Sequence, residues 1–145
     1  METNRYLLTD FNTDRWKGID MTSVIDQVKT LNLKDDGPLF GEIEPIGVYE
    51  FHPPEMHFDH IVSLTNASHI IKNLTIEEGK VYGDIQFLNN NQGRLAKICI
   101  DDIKEEYRFG IRCMGVTKSE RITIDEIITW DVIHISQNKF GNVRN

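Results

Sequence analysis

Two apolar runs, residues 68–76 and 81–88, are separated only by Glu77-Glu78-Gly79-Lys80, and that spacing leaves room for little except a β-hairpin. In the second run Val81, Gly83, Ile85 and Phe87 alternate with Tyr82, Asp84 and Gln86. Side chains alternate across a strand, so the first set faces a core and the second faces away from it. A hairpin with one apolar face sets the class of fold, because that face has to be covered by further strands or by helices.

The remaining pattern supplies both. Residues 22–31 carry Val24, Ile25, Val28 and Leu31 on one helical face, with Asp20 or Thr22 placed to cap the first turn. Asp35-Asp36-Gly37-Pro38 is a turn signal, and Leu39-Phe40-Gly41-Glu42-Ile43 reads as a short strand stopping near Pro45. Residues 48–60 hold two prolines and three histidines with neither period, and read as a structured loop. A polar turn at 89–93 leads into a second helix, 94–104, with an apolar stripe of Leu95, Ile98, Cys99 and Ile103. A strand at 107–113 and one or two β-rich segments over 122–135 complete the pattern, followed by a polar tail at 137–145. Strands joined by tight turns and outnumbering helices predict a single α+β domain over 1–136: a mostly antiparallel sheet, or a small barrel, with two packed helices.

Composition narrows the function classes. The chain has 145 residues, enough for one domain with its own core, and its formal net charge of −7 argues against a nucleic-acid partner, whose phosphates are bound by clustered Lys and Arg. Neither a signal-like apolar core near the start nor a run of about 18 apolar residues is present, so the expectation is a protein made in the cytoplasm with no membrane partner. Cys99 and Cys113 are too few for a disulfide framework. No phosphate-binding glycine loop occurs, and no cofactor or small-molecule ligand is expected. His52, His57 and His60, with Glu55 and Asp59 beside them, have the chemistry of zinc ligands but not the spacing of a helical zinc motif, and read as a polar loop rather than a metal site. Trp16 and Trp130 have the chemistry of interface anchors, although the Ile-rich setting of Trp130 reads as core. Asp125 and Asp131 read as carboxylates beside solvent-facing strand ends.

The order Gly41-Glu42-Ile43, a histidine-bearing loop, Asn66-Ala67-Ser68-His69, Val81-Tyr82-Gly83-Asp84-Ile85, Gln92-Gly93-Arg94-Leu95-Ala96-Lys97 and Gly110-Ile111-Arg112-Cys113-Met114-Gly115 resembles the tailed-phage prohead (head maturation) serine proteases over residues 5–136. In that family Gly-Glu-Leu-x-His-Pro supplies the catalytic histidine and Gly-[Val/Ile]-Ser-Ser-Arg-Gly the nucleophilic serine. The resemblance puts Gly110-Ile111 on the family's Gly-Ile, Arg112 on the nucleophile and Cys113 on the second serine. A guanidinium is permanently protonated and cannot act as a nucleophile. Alternation places Cys113 with Phe109 and Ile111 on a core face and Arg112 on the opposite one, where its charge suits a carboxylate such as Glu42, Glu44 or a partner's acid. Gly41-Glu42-Ile43-Glu44-Pro45 has no histidine before its proline, and His52-Pro53 is a second placement for the base; both alignments stand. His69 matches a histidine of the family's following strand, where it supports the sheet or the site.

The resemblance implies a divergent, catalytically silent member of the family, serving as a phage head or virion structural protein. Its partners would be other head proteins (capsid, scaffold or portal region) and further copies of itself; its place would be the virion, and the host cytoplasm during assembly. Two alternatives go with it: an active maturation protease using displaced residues, with His52, His69 and Cys113 as candidates, and a regulatory binder or inhibitor of such a protease.

Overall fold

The computed structural model describes residues 4–34, 37–44 and 62–138. The hairpin is its centre: β3 (Ala67–Glu77) and β4 (Lys80–Phe87) pair antiparallel around Glu78 and Gly79, both in the left-handed region with φ of 51° and 78°. Two successive positive φ angles make the turn whose twist matches that of the strands. β4 pairs on its other side with β1 (Asn4–Asp10), and β3 pairs with β2 (Leu39–Glu42), giving an antiparallel sheet in the order β1-β4-β3-β2. Along β4, Val81, Gly83 and Ile85 are buried while Tyr82 and Asp84 are less so, as the alternation requires.

A second hairpin, β5 (Tyr107–Lys118) with β6 (Arg121–His134), forms a separate two-stranded sheet. Its ties to the first are local: a parallel bridge joins Ile43 to Val132, and Glu44 N–H donates to the Val132 carbonyl at 2.8 Å. No ladder joins β1 to β5 among the described residues, so the small-barrel alternative is not realised and the domain is two packed antiparallel sheets with helices. Strand β1 is an addition to the sequence reading. Its Tyr6 and Leu8 turn inward, but exposed Leu7 between them hides the alternation.

Helix α1 (Met21–Leu33) starts where the Asp20 side chain accepts from Thr22 N–H at 3.1 Å, and it buries Val24 and Val28. Its polar side chains do something the pattern does not reveal. Ser23 Oγ accepts from Ile124 N–H at 3.0 Å and Gln27 Oε1 accepts from Ile127 N–H at 3.2 Å, both on β6. Asn32 Oδ1 accepts from Leu74 N–H at 3.1 Å while its Nδ2 donates to the Leu74 carbonyl at 2.9 Å, as a neighbouring strand would. One helix thus satisfies backbone groups on the margins of both sheets, where unpaired strand edges would otherwise stand.

Helix α2 (Asn91–Lys97) is capped by Asn90, whose Oδ1 accepts from Gly93 N–H at 2.7 Å. Gly93 is demanded by the packing, since a Cβ there would lie 1.9 Å from the Leu88 carbonyl oxygen. The helix runs on into a wide π turn, Ile98–Ile103, closed by Lys104 N–H donating to the Cys99 carbonyl at 2.9 Å. The buried face is Gly93, Ala96 and Cys99, so the expected stripe is corrected: Leu95, Ile98 and Ile103 are 52%, 46% and 42% exposed. Close approach to the sheet selects the small residues of this helix, not the large ones.

Trp16 and Trp130 are both buried, Trp16 edge-on to Phe11 with ring centroids 4.9 Å apart. Trp130 is wholly buried and donates from Nε1 to Thr9 Oγ1 at 2.7 Å, so it links β6 to β1. Trp130→Ala is expected to lower the unfolding free energy by about 3–5 kcal/mol through the cavity it leaves. The denaturant midpoint measures this, and a loss under about 1 kcal/mol would place Trp130 outside the shared core.

Candidate functional site

Arg112 lies in the middle of β5, and its side chain has no exposure to solvent. A guanidinium in such a place has to be matched by acids, because an unpaired buried charge costs several kcal/mol. Two are supplied. Arg112 Nε donates to Asp131 Oδ2 at 2.9 Å and Nη2 to Asp131 Oδ1 at 2.7 Å, the bidentate fork that suits this pair. Nη2 also donates to Glu42 Oε2 at 2.9 Å. Burial acts to discharge the guanidinium, but Asp131 and Glu42 together outweigh it and raise the pKa above its already high ordinary value. Arg112 stays charged, with no electron pair to offer.

The carboxylates are themselves held. Asp131 Oδ1 accepts from Glu42 N–H at 3.0 Å, so the end of β2 is tied to β6 by the same acid that grips Arg112. Glu42 Oε2 accepts from Ser63 N–H at 3.0 Å and Oε1 from Asn66 Nδ2 at 3.1 Å. Glu42, rather than Glu44, is therefore the acid from the Gly-Glu-Ile strand that reaches Arg112. Asp131 corrects the sequence reading: it is fully buried, not at a solvent-facing strand end. The available signal was an acid inside the run Ile127-Ile128-Thr129-Trp130-Asp131-Val132-Ile133, where only a buried partner makes such a residue tolerable.

Beside this cluster stands His69, also without exposure. Its Nε2 lies 2.8 Å from the Trp130 carbonyl oxygen, which can only accept, so the ring carries its proton on Nε2. Nδ1 is then the acceptor for Ser68 Oγ at 2.8 Å. Burial is the main cause that lowers the His69 pKa, with Arg112 adding to it and with the Trp130 carbonyl and Asp131 opposing. The ring is neutral at pH 7. Gly41 makes room for it, since a Cβ there would meet Nε2 at 2.1 Å and the Trp130 oxygen at 2.2 Å.

Ser68 and His69 share the hydrogen bond that a nucleophile and its general base would share. Both side chains have zero exposure, however, so Ser68 Oγ is not presented at the surface. Cys113 follows Arg112 across a register shift, Arg112 standing opposite Thr129 and Cys113 opposite Ile127. Both are buried, so the simple alternation of core face and open face along this strand is corrected. The Cys113 thiol is pushed up to about 12 by burial, against a smaller opposite effect of Arg15, and is un-ionised at neutral pH. His52 lies outside the described residues, as do His57, His60, Glu55 and Asp59. Among the described residues no group of three or more His, Cys, Asp or Glu is arranged to hold a metal ion.

The fold is similar to that of a solved structure, the bacteriophage T4 capsid assembly protease, gp21, with a TM-score of 0.51 and 14% sequence identity over 90% of this chain and 80% of that one. No protein-family model and no curated protein matches the sequence. The domain is thus α+β with a prohead-protease-like fold.

Arg112→Leu leaves Glu42 and Asp131 buried without their cation and is expected to cost about 3–5 kcal/mol of stability at neutral pH, read from the denaturant midpoint. A loss below about 1 kcal/mol would show that water reaches the cluster. A second expectation concerns pH. The pKa of His69 is lowered in the folded chain from 6.5, so its contribution is complete above about 6.5 and is lost as pH falls below that value. Between pH 7.5 and 5.5 the wild-type stability should decline, and His69→Gln should flatten the decline by up to about 1.4 kcal/mol per pH unit. Parallel curves for the two proteins would contradict this assignment.

Proposed function

We propose that this chain is a phage head protein that uses the capsid-protease fold as a structural unit and does not cut peptide bonds. The observation that carries the reading is the state of Arg112. The sequence resemblance puts this residue at the family's nucleophile, and it is locked by three hydrogen bonds to Asp131 and Glu42 with no free valence for chemistry. Nucleophilic catalysis needs a deprotonable group that is within reach of a base and open to the substrate. Cys113, the next residue, is buried with a thiol that does not ionise near pH 7. The imidazole of His69 is engaged on both nitrogens inside the sheet. The same two acids that would fail to serve a serine serve a guanidinium well, which supports a site remade for binding strands together.

The capsid-assembly context enters by analogy with gp21, whose fold this chain shares at low identity. On that analogy the partners are other head proteins, and the chain resides in the virion after assembly in the host cytoplasm. No helix among the described residues is long and apolar enough to cross a membrane.

The purified chain, incubated with phage scaffold and capsid proteins, is expected to leave them and itself intact and to take no label from serine- or thiol-directed active-site probes. Arg112→Ser is expected to remain inactive as well, because His69, the imidazole beside the cluster, is hydrogen-bonded on both nitrogens within the sheet. Robust cleavage by either protein would overturn the proposal. Mass spectrometry of purified particles distinguishes the structural role from a regulatory one: the structural role requires a fixed copy number in mature virions, whereas presence in proheads alone would assign the chain to control of a protease.

A further inference from the structure

Helix α1 is lightly anchored for its length. Of its 13 residues only Val24 and Val28 are buried, Met21 and Leu31 pack in part against the core, and Ile25 and Leu33 are 38% and 82% exposed. Its composition gives little support. Thr22, Val24, Ile25, Val28 and Thr30 are β-branched and lose side-chain freedom in a helix. Thr30 Oγ1 donates back to the Asp26 carbonyl at 2.9 Å, a bond that slightly weakens helices. Lys34 closes the helix in an extended conformation rather than in the left-handed turn of a strong C-cap, and no base stands in the last turn. Helices of this length are marginal in water on their own. α1 is therefore helical only while it is docked, and its detachment and its melting are one event.

The two ends of the helix are held differently. Before its first turn the ties are main-chain bonds: Asp20 N–H donates to the Ile122 carbonyl at 2.8 Å, and Ile122 N–H donates to the Gly18 carbonyl at 2.9 Å. Gly18 sits at φ 87°, and a Cβ there would lie 2.1 Å from the Glu120 carbonyl oxygen, so this join is shaped by backbone alone. At the other end the tie is a side chain, the Asn32 amide that takes both backbone groups of Leu74. Asn32 is itself exposed. The first end has the character of a hinge and the second that of a latch.

We propose that α1 is a hinged strap, which opens as one cooperative unit while the sheets stay folded and so frees the Ile124, Ile127 and Leu74 amides together. These three amides lie on two sheets, and their acceptors are Ser23, Gln27 and Asn32 of the same helix. Ser23 and Asn32 are nine residues apart, roughly 13 Å along a helix. Only the helix as a body connects the two, so a change at the latch reaches β6 only if α1 moves as a unit. The inference does not depend on whether the chain cleaves peptides.

Amide hydrogen exchange of the full chain, followed by NMR through low concentrations of denaturant, tests this. Ile124, Ile127, Leu74 and the interior amides of α1 are expected to share one opening, with a smaller denaturant slope than the β4 amides because less surface is exposed. Asn32→Ala should speed exchange about tenfold or more, the worth of two hydrogen bonds, at Ile124 and Ile127 as well as at Leu74. Ile85→Val, in β4, should speed the β4 amides and leave the α1 set unchanged, since the open state keeps that core. An effect of Asn32→Ala confined to Leu74 would overturn the proposal. So would a single opening shared by α1 and β4, with both sets responding to Ile85→Val, because α1 would then be released only by global unfolding.

Discussion

The buried cation at Arg112 organises the middle of this domain. Its guanidinium takes both oxygens of Asp131 and one of Glu42, and those acids in turn accept backbone N–H groups from Glu42 and Ser63. Strands from the two sheets, and the chain entering β3, are thereby tied to one charged centre. Ion pairs of this kind are poor sources of net stability, because desolvating three charges offsets most of their attraction. What they supply is discrimination. A slip of β5 against β6, or of β2 against either, would strand a charge in an apolar interior, a far larger penalty than a mismatch between aliphatic side chains.

Near this centre the described side chains are engaged with one another. A protease of the serine type needs a nucleophile that gains and loses a proton, beside a base that can be alternately charged and neutral. Here the charge is permanent and the imidazole is neutral, buried and hydrogen-bonded on both sides. Under the proposed reading, the same alignment of strands that would present a serine to a substrate instead closes around an arginine. The fold likeness to gp21 concerns the scaffold, and the chemistry is argued from these side chains alone.

Much of the scaffold was legible because it follows from period and turn chemistry. The β3–β4 hairpin, the α1 cap at Asp20 and the short Gly-Glu-Ile strand each depend on neighbours in sequence. Glu42 was legible as a partner of Arg112 through their charges. Asp131 was not, because its burial depends on which strand lies beside β6, and that is a property of topology. The α2 stripe was misplaced for a related reason. Hydrophobicity favours Leu95 and Ile98 as the inward face, but the gap to the sheet is so narrow that Gly93, Ala96 and Cys99 fit and larger side chains do not. β1 gives little sequence signal because Leu7 faces outward between Tyr6 and Leu8, leaving no clean alternation.

Helix α1 also bears on how the sheet margins stay closed. Through Ser23, Gln27 and Asn32 it occupies hydrogen-bonding positions on β6 and β3 that a strand could otherwise fill. Those side chains act as substitutes for a peptide backbone, and they hold only while the helix is docked. Local detachment of α1 would uncover the margins of two sheets at once and hand both to any extended chain nearby. The same 13-residue element is therefore a guard against unwanted strand exchange, and its loosening would expose both margins together.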